Sequence, residues 1–356
     1  MRYPKPNVLA IVVCAGVFAS ACSSDGASTA GNGQTAGGAA NAAGGVSAVG
    51  GDATESAGQS ASSAGSGASS GKSGAASGGA SSGVSGGAGL SGDGGVKSNS
   101  CKRGVAYGHH SIADLTALSP GVSWWYNWDF RPDQDLRAGA YRDAGVEYAP
   151  MIWGMASDRA AAKTAIAADA RVLLGFNEPN FGEQANLSAK AAAALWPELE
   201  AIADAKGLRL VSPAVNFCGG NCQDTDPFHY LDAFFAACSG CRVDAVAMHI
   251  YVGCSPSGDN KAEWLINHVE TYKSRFSQPL WLTEFACDSA KNSAEQQAFL
   301  EDAVAYLEAE PRIERYAWFS GRATNVPHVD LLGDSGQLSA LGAAYVHAPK
   351  NPDCTR

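Results

Sequence analysis

From about Cys101 onward, short apolar runs alternate with stretches in which apolar residues return every three or four positions. A short apolar run bounded by turn formers reads as a buried strand, and the three-and-four spacing reads as one face of a helix. On that rule strands are expected at 104–108, 122–128, 148–153, 171–177, 208–215, 245–251, 280–285 and 315–319. Helices are expected at 135–144, 159–170, 189–205, 228–237, 263–276, 294–309 and 339–346. The stretch Trp264-Leu265-x-x-His268-Val269-x-x-Tyr272 shows the helical spacing well. Gly145 and Gly207 stand just before expected strands, where a left-handed cap would end the preceding helix. This alternation of strands and helices, with no Gly-x-Gly-x-x-Gly phosphate loop, points to an α/β fold closed as a (β/α)8 TIM barrel. A folded segment of about 250 residues is the usual size of one such barrel.

Residues before the barrel follow other rules. Arg2 and Lys5 precede an apolar run from Val8 to Ala19, and small residues lead up to Ala21-Cys22. That run is too short to span a bilayer and reads as a signal peptide over 1–22. Small residues before a cysteine, with Ser23-Ser24-Asp25 after it, resemble a bacterial lipoprotein processing site. Cys22 is therefore the expected lipidation site, and a plain secreted chain cleaved nearby is the alternative. Residues 23–100 are nearly all Gly, Ala and Ser, too poor in apolar side chains to offset the entropy of ordering. They are expected to form a flexible tether, read either as a spacer for an envelope-bound domain or as an unselected insert. The third segment, 101–356, is the one expected to fold as the (β/α)8 domain.

Charge narrows the partners. The chain has 35 acidic and 25 basic side chains, a formal net charge of −10. Nucleic acid and anionic lipid surfaces call for a basic patch, so neither is an expected partner, and membrane contact would come only through a lipid anchor. A neutral polymer remains compatible. The expected location is extracellular or in the cell envelope, and the expected state is a monomer.

Cysteine usage agrees with export. Besides Cys14 and Cys22, the chain carries Cys101, Cys218, Cys222, Cys238, Cys241, Cys254, Cys287 and Cys354. An even set behind a signal peptide reads as disulfides made in an oxidising compartment. Thiol-redox and zinc readings of the two close pairs lack the surrounding βαβ unit and the four converging ligands they require. The expected bridges are Cys218–Cys222, Cys238–Cys241, Cys254–Cys287 between neighbouring loops, and Cys101–Cys354 across the ends of the domain.

Two glutamates carry the candidate chemistry. Glu178 lies in Gly175-Phe-Asn-Glu-Pro-Asn180 and Glu284 in Trp281-Leu-Thr-Glu-Phe-Ala286, each at the end of an apolar strand. A lone carboxylate there is ordinarily a salt-bridge partner or a neighbour of a helix cap. Two of them among aromatics form the pair that glycosidic bond cleavage uses, one as acid/base and one as nucleophile. In a barrel, function gathers at the C-terminal ends of strands. Those ends hold Tyr107, Trp128, Trp153, Asn177, Asn216, His249, Tyr251 and Trp318, a mixture of flat rings and polar tips suited to sugar. His109, His110, His249 and His328 show no metal-ligand spacing, so no metal and no cofactor are expected.

Residues from about Arg103 to Tyr345 resemble the catalytic core of glycoside hydrolase family 128, β-1,3-glucanases related to a fungal cell-wall protein. The matching pieces are Arg103-Gly-Val-Ala-Tyr107, Trp124-x-Tyr126-Asn127-Trp128, Ala149-Pro-Met-Ile-Trp153 and Leu174-Gly-Phe-Asn-Glu-Pro-Asn180. Further on come Ser212-Pro-Ala-Val215, His249-x-Tyr251, Trp281-Leu-Thr-Glu-Phe-Ala286 and Tyr316-Ala-Trp-Phe319. Ile250 stands where that pattern carries Trp, and the double-cysteine loop 218–222 departs from it. The resemblance implies a (β/α)8 barrel, endo-hydrolysis of β-1,3-glucan with retention, Glu178 as acid/base and Glu284 as nucleophile. Asn177 would then bond the sugar 2-hydroxyl, Tyr251 would donate to Glu284, and His249 would contact substrate or hold Glu178. Trp318 would floor the subsite where the ring distorts, with Trp153 and Trp128 in more distant subsites. The alternatives are a related barrel glycosidase for another β-glycan, a surface-tethered glucan-binding lipoprotein without turnover, and an inert structural barrel.

Overall fold

The computed structural model describes residues 101–255 and 259–352. The expected signal peptide, Cys22 and the tether 23–100 lie outside the described residues.

Eight short strands appear in chain order: β1 (Arg103–Ala106), β2 (Trp124–Tyr126), β3 (Glu147–Tyr148), β4 (Val172–Leu174), β5 (Arg209–Val211), β6 (Val246–Val252), β7 (Leu280–Cys287) and β8 (Ile313–Trp318). Six of them form one sheet in the order β3-β2-β1-β8-β7-β6, and β4 pairs with β5. Isolated parallel bridges close the two gaps. Met151 meets Leu174 between the β3 and β4 segments, while Val211–Ala245 and Val215–Met248 join β5 to β6. Neighbours around the ring are thus consecutive strands, all parallel, which is the (β/α)8 barrel expected from the alternation. Within it, the Trp124 and Trp281 rings lie 5.3 Å apart and the Arg315 guanidinium lies over both. Both indoles are fully buried. Burial of a large apolar side chain contributes about 1.5–3 kcal/mol.

The helices are α1 (Ile112–Leu118), α2 (Ala140–Asp143), α3 (Arg159–Ala165), α4 (Ala189–Lys206), α5 (Pro227–Ala237), α6 (Glu263–Arg275), α7 (Ser293–Ala309) and α8 (Ala340–His347). Two regions differ from expectation. Helix α1 was not expected, because its seven residues are too few for an apolar stripe. It is fixed instead by a capping box, with Ser111 and Asp114 satisfying each other's backbone N–H. The single helix expected at 135–144 is split into a 3-10 turn at Gln134–Leu136 and α2. Gly139 between them has φ +93°, which a continuous helix does not allow. Gly207 caps α4 at φ +68°, and Gly145 has the same value.

Disulfides Cys218–Cys222, Cys238–Cys241 and Cys254–Cys287 are all present. The expected Cys101–Cys354 bridge lies outside the described residues, because Cys354 does. Cys254 and Cys287 staple the ends of β6 and β7, the two strands that carry His249, Tyr251 and Glu284.

Candidate active site

Glu178 follows β4 through a segment pressed against β5. A Cβ on Gly175 would lie 2.8 Å from the Val211 carbonyl, so only glycine lets the two backbones approach there. The Glu178 N–H then donates to Ala214 O at 2.8 Å. Its φ is +39°, in the left-handed region that costs a non-glycine residue about 1–3 kcal/mol unless its surroundings enforce it. The backbone is turned here to aim one carboxyl.

Glu284 reaches the same place by a different device. Along β6 and β7, Ala247 faces Trp281 and Met248 faces Leu282, but His249 faces Glu284, so Thr283 is an extra residue in β7. Strict alternation from the inward Trp281 would turn Glu284 away from the interior. The bulge restores its direction, a common use of bulges beside active sites.

The two carboxyls converge on one imidazole. His249 Nδ1 lies 3.0 Å from Glu178 Oε1 and 3.5 Å from Glu284 Oε2. One oxygen of each glutamate and a His249 ring nitrogen all lie within 4.8 Å of one another. Glu284 is clamped further. Oε1 accepts from Tyr126 Oη and Trp128 Nε1, both at 2.8 Å, and Oε2 accepts from Tyr251 Oη at 2.6 Å. Three donors favour the acceptor-only carboxylate form. Burial first, then the Glu284 charge, hold the Tyr126 and Tyr251 phenols well above their usual range, so both stay donors.

Glu178 is the opposite case. Burial raises its pKa above the ordinary carboxyl value, the His249 contact takes part of that back, and the Glu284 charge adds to the rise. For His249, burial opposes the charged ring, but the two carboxylates outweigh it and the pKa rises. Both shifts favour a proton on the Glu178–His249 pair, beside the three donors from which Glu284 accepts. The same three residues could geometrically ligate a cation. Both Glu284 oxygens, however, already hold hydrogen bonds and His249 Nδ1 is engaged by Glu178.

The other expected site residues divide. Asn177 is buried, its Nδ2 donates to Gln184 Oε1 at 3.2 Å, and its Oδ1 has no partner among the described residues. Trp153 Nε1 is likewise buried without a partner among them. Trp128 is not in a distant subsite, since its indole bonds the nucleophile candidate directly from a backbone at φ +61°. Asn216 spends its side chain locally, accepting from the Phe217 N–H at 2.9 Å. Tyr107 sits at the end of β1 beneath the Arg322 guanidinium. Trp318 does not floor the cleft. It is fully buried, donates to Val329 O at 2.9 Å and packs on Phe285, Phe299 and Tyr345. The pleat puts the next residue inward instead, and Phe319 packs between Trp128 and Tyr251.

Sequence reading also passed over Tyr126 as a site residue. The signal was available, because Trp124, Tyr126 and Trp128 are spaced by two and the last two reach the same carboxylate oxygen.

Comparison with known proteins fits this geometry. Residues 104–345 match the family described as glycosyl hydrolase catalytic core. A GH128 (subgroup II) endo-β-1,3-glucanase from Sorangium cellulosum is 67% identical, with 70% of this chain and 99% of that one covered and a TM-score of 0.69. A GH128 (subgroup I) endo-β-1,3-glucanase from Amycolatopsis mediterranei, solved with laminaritriose, is 33% identical, with 69% and 98% covered and a TM-score of 0.55. Alkali-sensitive linkage protein 1 of Schizosaccharomyces pombe is 28% identical over 244 residues, which is 64% of this chain and 41% of that protein. This chain thus spans less than half the length of that relative. The chain belongs to glycoside hydrolase family 128, the glycosyl hydrolase catalytic core.

Proposed function

We propose that the protein is an endo-acting β-1,3-glucanase that cleaves with net retention, with Glu284 as nucleophile and Glu178 as acid/base. One observation carries the mechanism: oxygens of the two carboxyls lie within 4.8 Å of each other. Retaining glycosidases hold the pair about 5–5.5 Å apart, whereas inverting ones need about 6.5–9.5 Å to admit water. The substrate assignment is supported by the similar solved enzymes, named as endo-β-1,3-glucanases.

Glu284 attacks the anomeric carbon as Glu178 gives its proton to the departing glycosidic oxygen. Glu178, now a carboxylate beside His249, takes a proton from water, and the water oxygen displaces Glu284 from the anomeric carbon. Tyr126, Trp128 and Tyr251 keep Glu284 pointed along the line of attack. Asn177 Oδ1 accepts from the sugar 2-hydroxyl, which gives that buried carbonyl the partner it lacks among the described residues. His249 serves as the holder of Glu178.

The test is incubation of wild type and Glu178→Gln with laminarin, curdlan and a mannan, scoring reducing ends and product sizes. Wild type should shorten the two β-1,3-glucans to oligosaccharides and leave mannan intact, and Glu178→Gln should lose at least about a hundredfold. Binding of laminarin without release of reducing ends would favour a non-hydrolytic glucan-binding role, and cleavage of mannan alone would overturn the substrate.

A further inference from the structure

We propose that the ring closed by Cys218–Cys222, together with Gly182, is a positioning element for Glu178. The inference rests on the acid/base role proposed above for that residue. It starts from the strained backbone. A glutamate at φ +39° persists only where neighbouring structure leaves the chain no alternative, and besides bonds within itself the segment just after Glu178 is tied to one small loop.

The ties are specific. Asn180 is fully buried, and its Nδ2 donates both to Asn216 O at 2.8 Å and to Asp224 O at 3.1 Å, the residues flanking the ring on either side. The Asn180 carbonyl accepts from Gln223 N at 2.8 Å, and Gly182 N donates to Asn221 O at 2.7 Å. Phe181 and Cys222 form an antiparallel bridge, and Gln223 Nε2 reaches Asn186 Oδ1 at 2.7 Å. A Cβ on Gly182 would make the exposed Asn221 side chain turn aside and would press on the Asn221 carbonyl at 3.0 Å. Segment 180–186 is therefore held by residues 216–224 at several places along its length.

Besides these bonds and the Cys218 N–H to Thr225 O bond at 3.2 Å, the disulfide is the covalent closure of that loop. Gly219 and Gly220 lie inside it, and glycine gives the open chain the most freedom to lose. Closing the ring at 218 and 222 keeps Asn216 and Asp224 close enough for one amide to bond both. If the ring opens, the Asn180 amide loses its double anchor, and the turn that aims Glu178 relaxes away from His249, Glu284, Tyr126 and Tyr251. The loop acts through Glu178 and has no role of its own in bond cleavage.

The experiment compares Cys218→Ser/Cys222→Ser, Gly182→Ala and Cys238→Ser/Cys241→Ser with wild type. The last pair closes a still shorter ring, with a sequence separation of 3 against 4, at the end of α5 and away from the site. Readouts are kcat and KM on laminarin, the melting temperature, and the pH titration of the His249 imidazole by NMR. The first two variants should lose on the order of tenfold in kcat with KM within about twofold, and should move the His249 titration. The control pair should lower only the melting temperature. Wild-type kcat and an unmoved His249 titration in both loop variants would overturn the inference, as would an equal loss of kcat in all three. If wild type itself fails to cleave laminarin, the glucanase reading falls, and the His249 titration still decides the role of the loop.

Discussion

A carboxyl group buried against an imidazole and a second carboxylate has few low-energy options. Glu178 meets this with a pKa raised by burial, and Glu284 by collecting three donors. The difference between two chemically identical side chains is thus entirely one of surroundings, which suits the acid and nucleophile roles proposed for them. Each donor on Glu284 is a hydrogen bond to a charged group, worth about 1.5–3 kcal/mol. Tyr251→Phe removes the shortest of them, the 2.6 Å contact to Oε2, without changing the ring. We expect kcat on laminarin to fall about 10- to 100-fold with a smaller change in KM, since the bond orients the attacking oxygen and touches no remote sugar. A wild-type kcat in steady-state assays of Tyr251→Phe would remove Tyr251 from the nucleophile's support.

At the level of elements, the sequence disclosed what periodicity and capping encode. Eight strands and most helices followed from apolar spacing, and the strand-end frames picked out Glu178 and Glu284 before any geometry was known. What it hid were departures from period two. The extra Thr283 in β7 cannot be seen in an apolar run, because every residue there is buried and alternation leaves no trace. Trp318 was misplaced for the same reason: at the end of a strand buried on both faces, either Trp318 or Phe319 suits an inward position. The two are separable by mutation. Trp318→Phe should cost about 1–2 kcal/mol of stability through the lost Val329 hydrogen bond and ring volume, leaving kcat on laminarin unchanged. Phe319→Ala should lower kcat several-fold, because its ring buttresses Trp128 and Tyr251, which hold Glu284. Urea melts and Michaelis curves read both; a lowered kcat for Trp318→Phe beside a wild-type one for Phe319→Ala would reverse the pleat assignment.

For the molecule as a whole, the buried site is a load on stability with a definite pH signature. Glu178 has a folded pKa above its ordinary value of 4.5, so between those two values the native chain binds more protons than the unfolded one. Stability that is fully present below pH 4.5 is therefore lost as pH rises through the folded pKa. His249 acts in the same direction, since its folded pKa also lies above its ordinary 6.5 and its contribution fades as pH rises through the folded value. Glu178→Gln abolishes the first effect and shrinks the second by removing the nearer carboxylate, while an amide can still bond Nδ1. The variant should consequently melt at a higher temperature than wild type at about pH 7–8, with the two curves converging as pH falls below about 4.5, the side on which wild-type Glu178 is protonated in both states. Calorimetric melts of both proteins across about pH 4–8 measure the difference. Two parallel curves would mean that Glu178 carries no raised pKa in the folded state, and the assignment of the proton to the Glu178–His249 pair would fall with it.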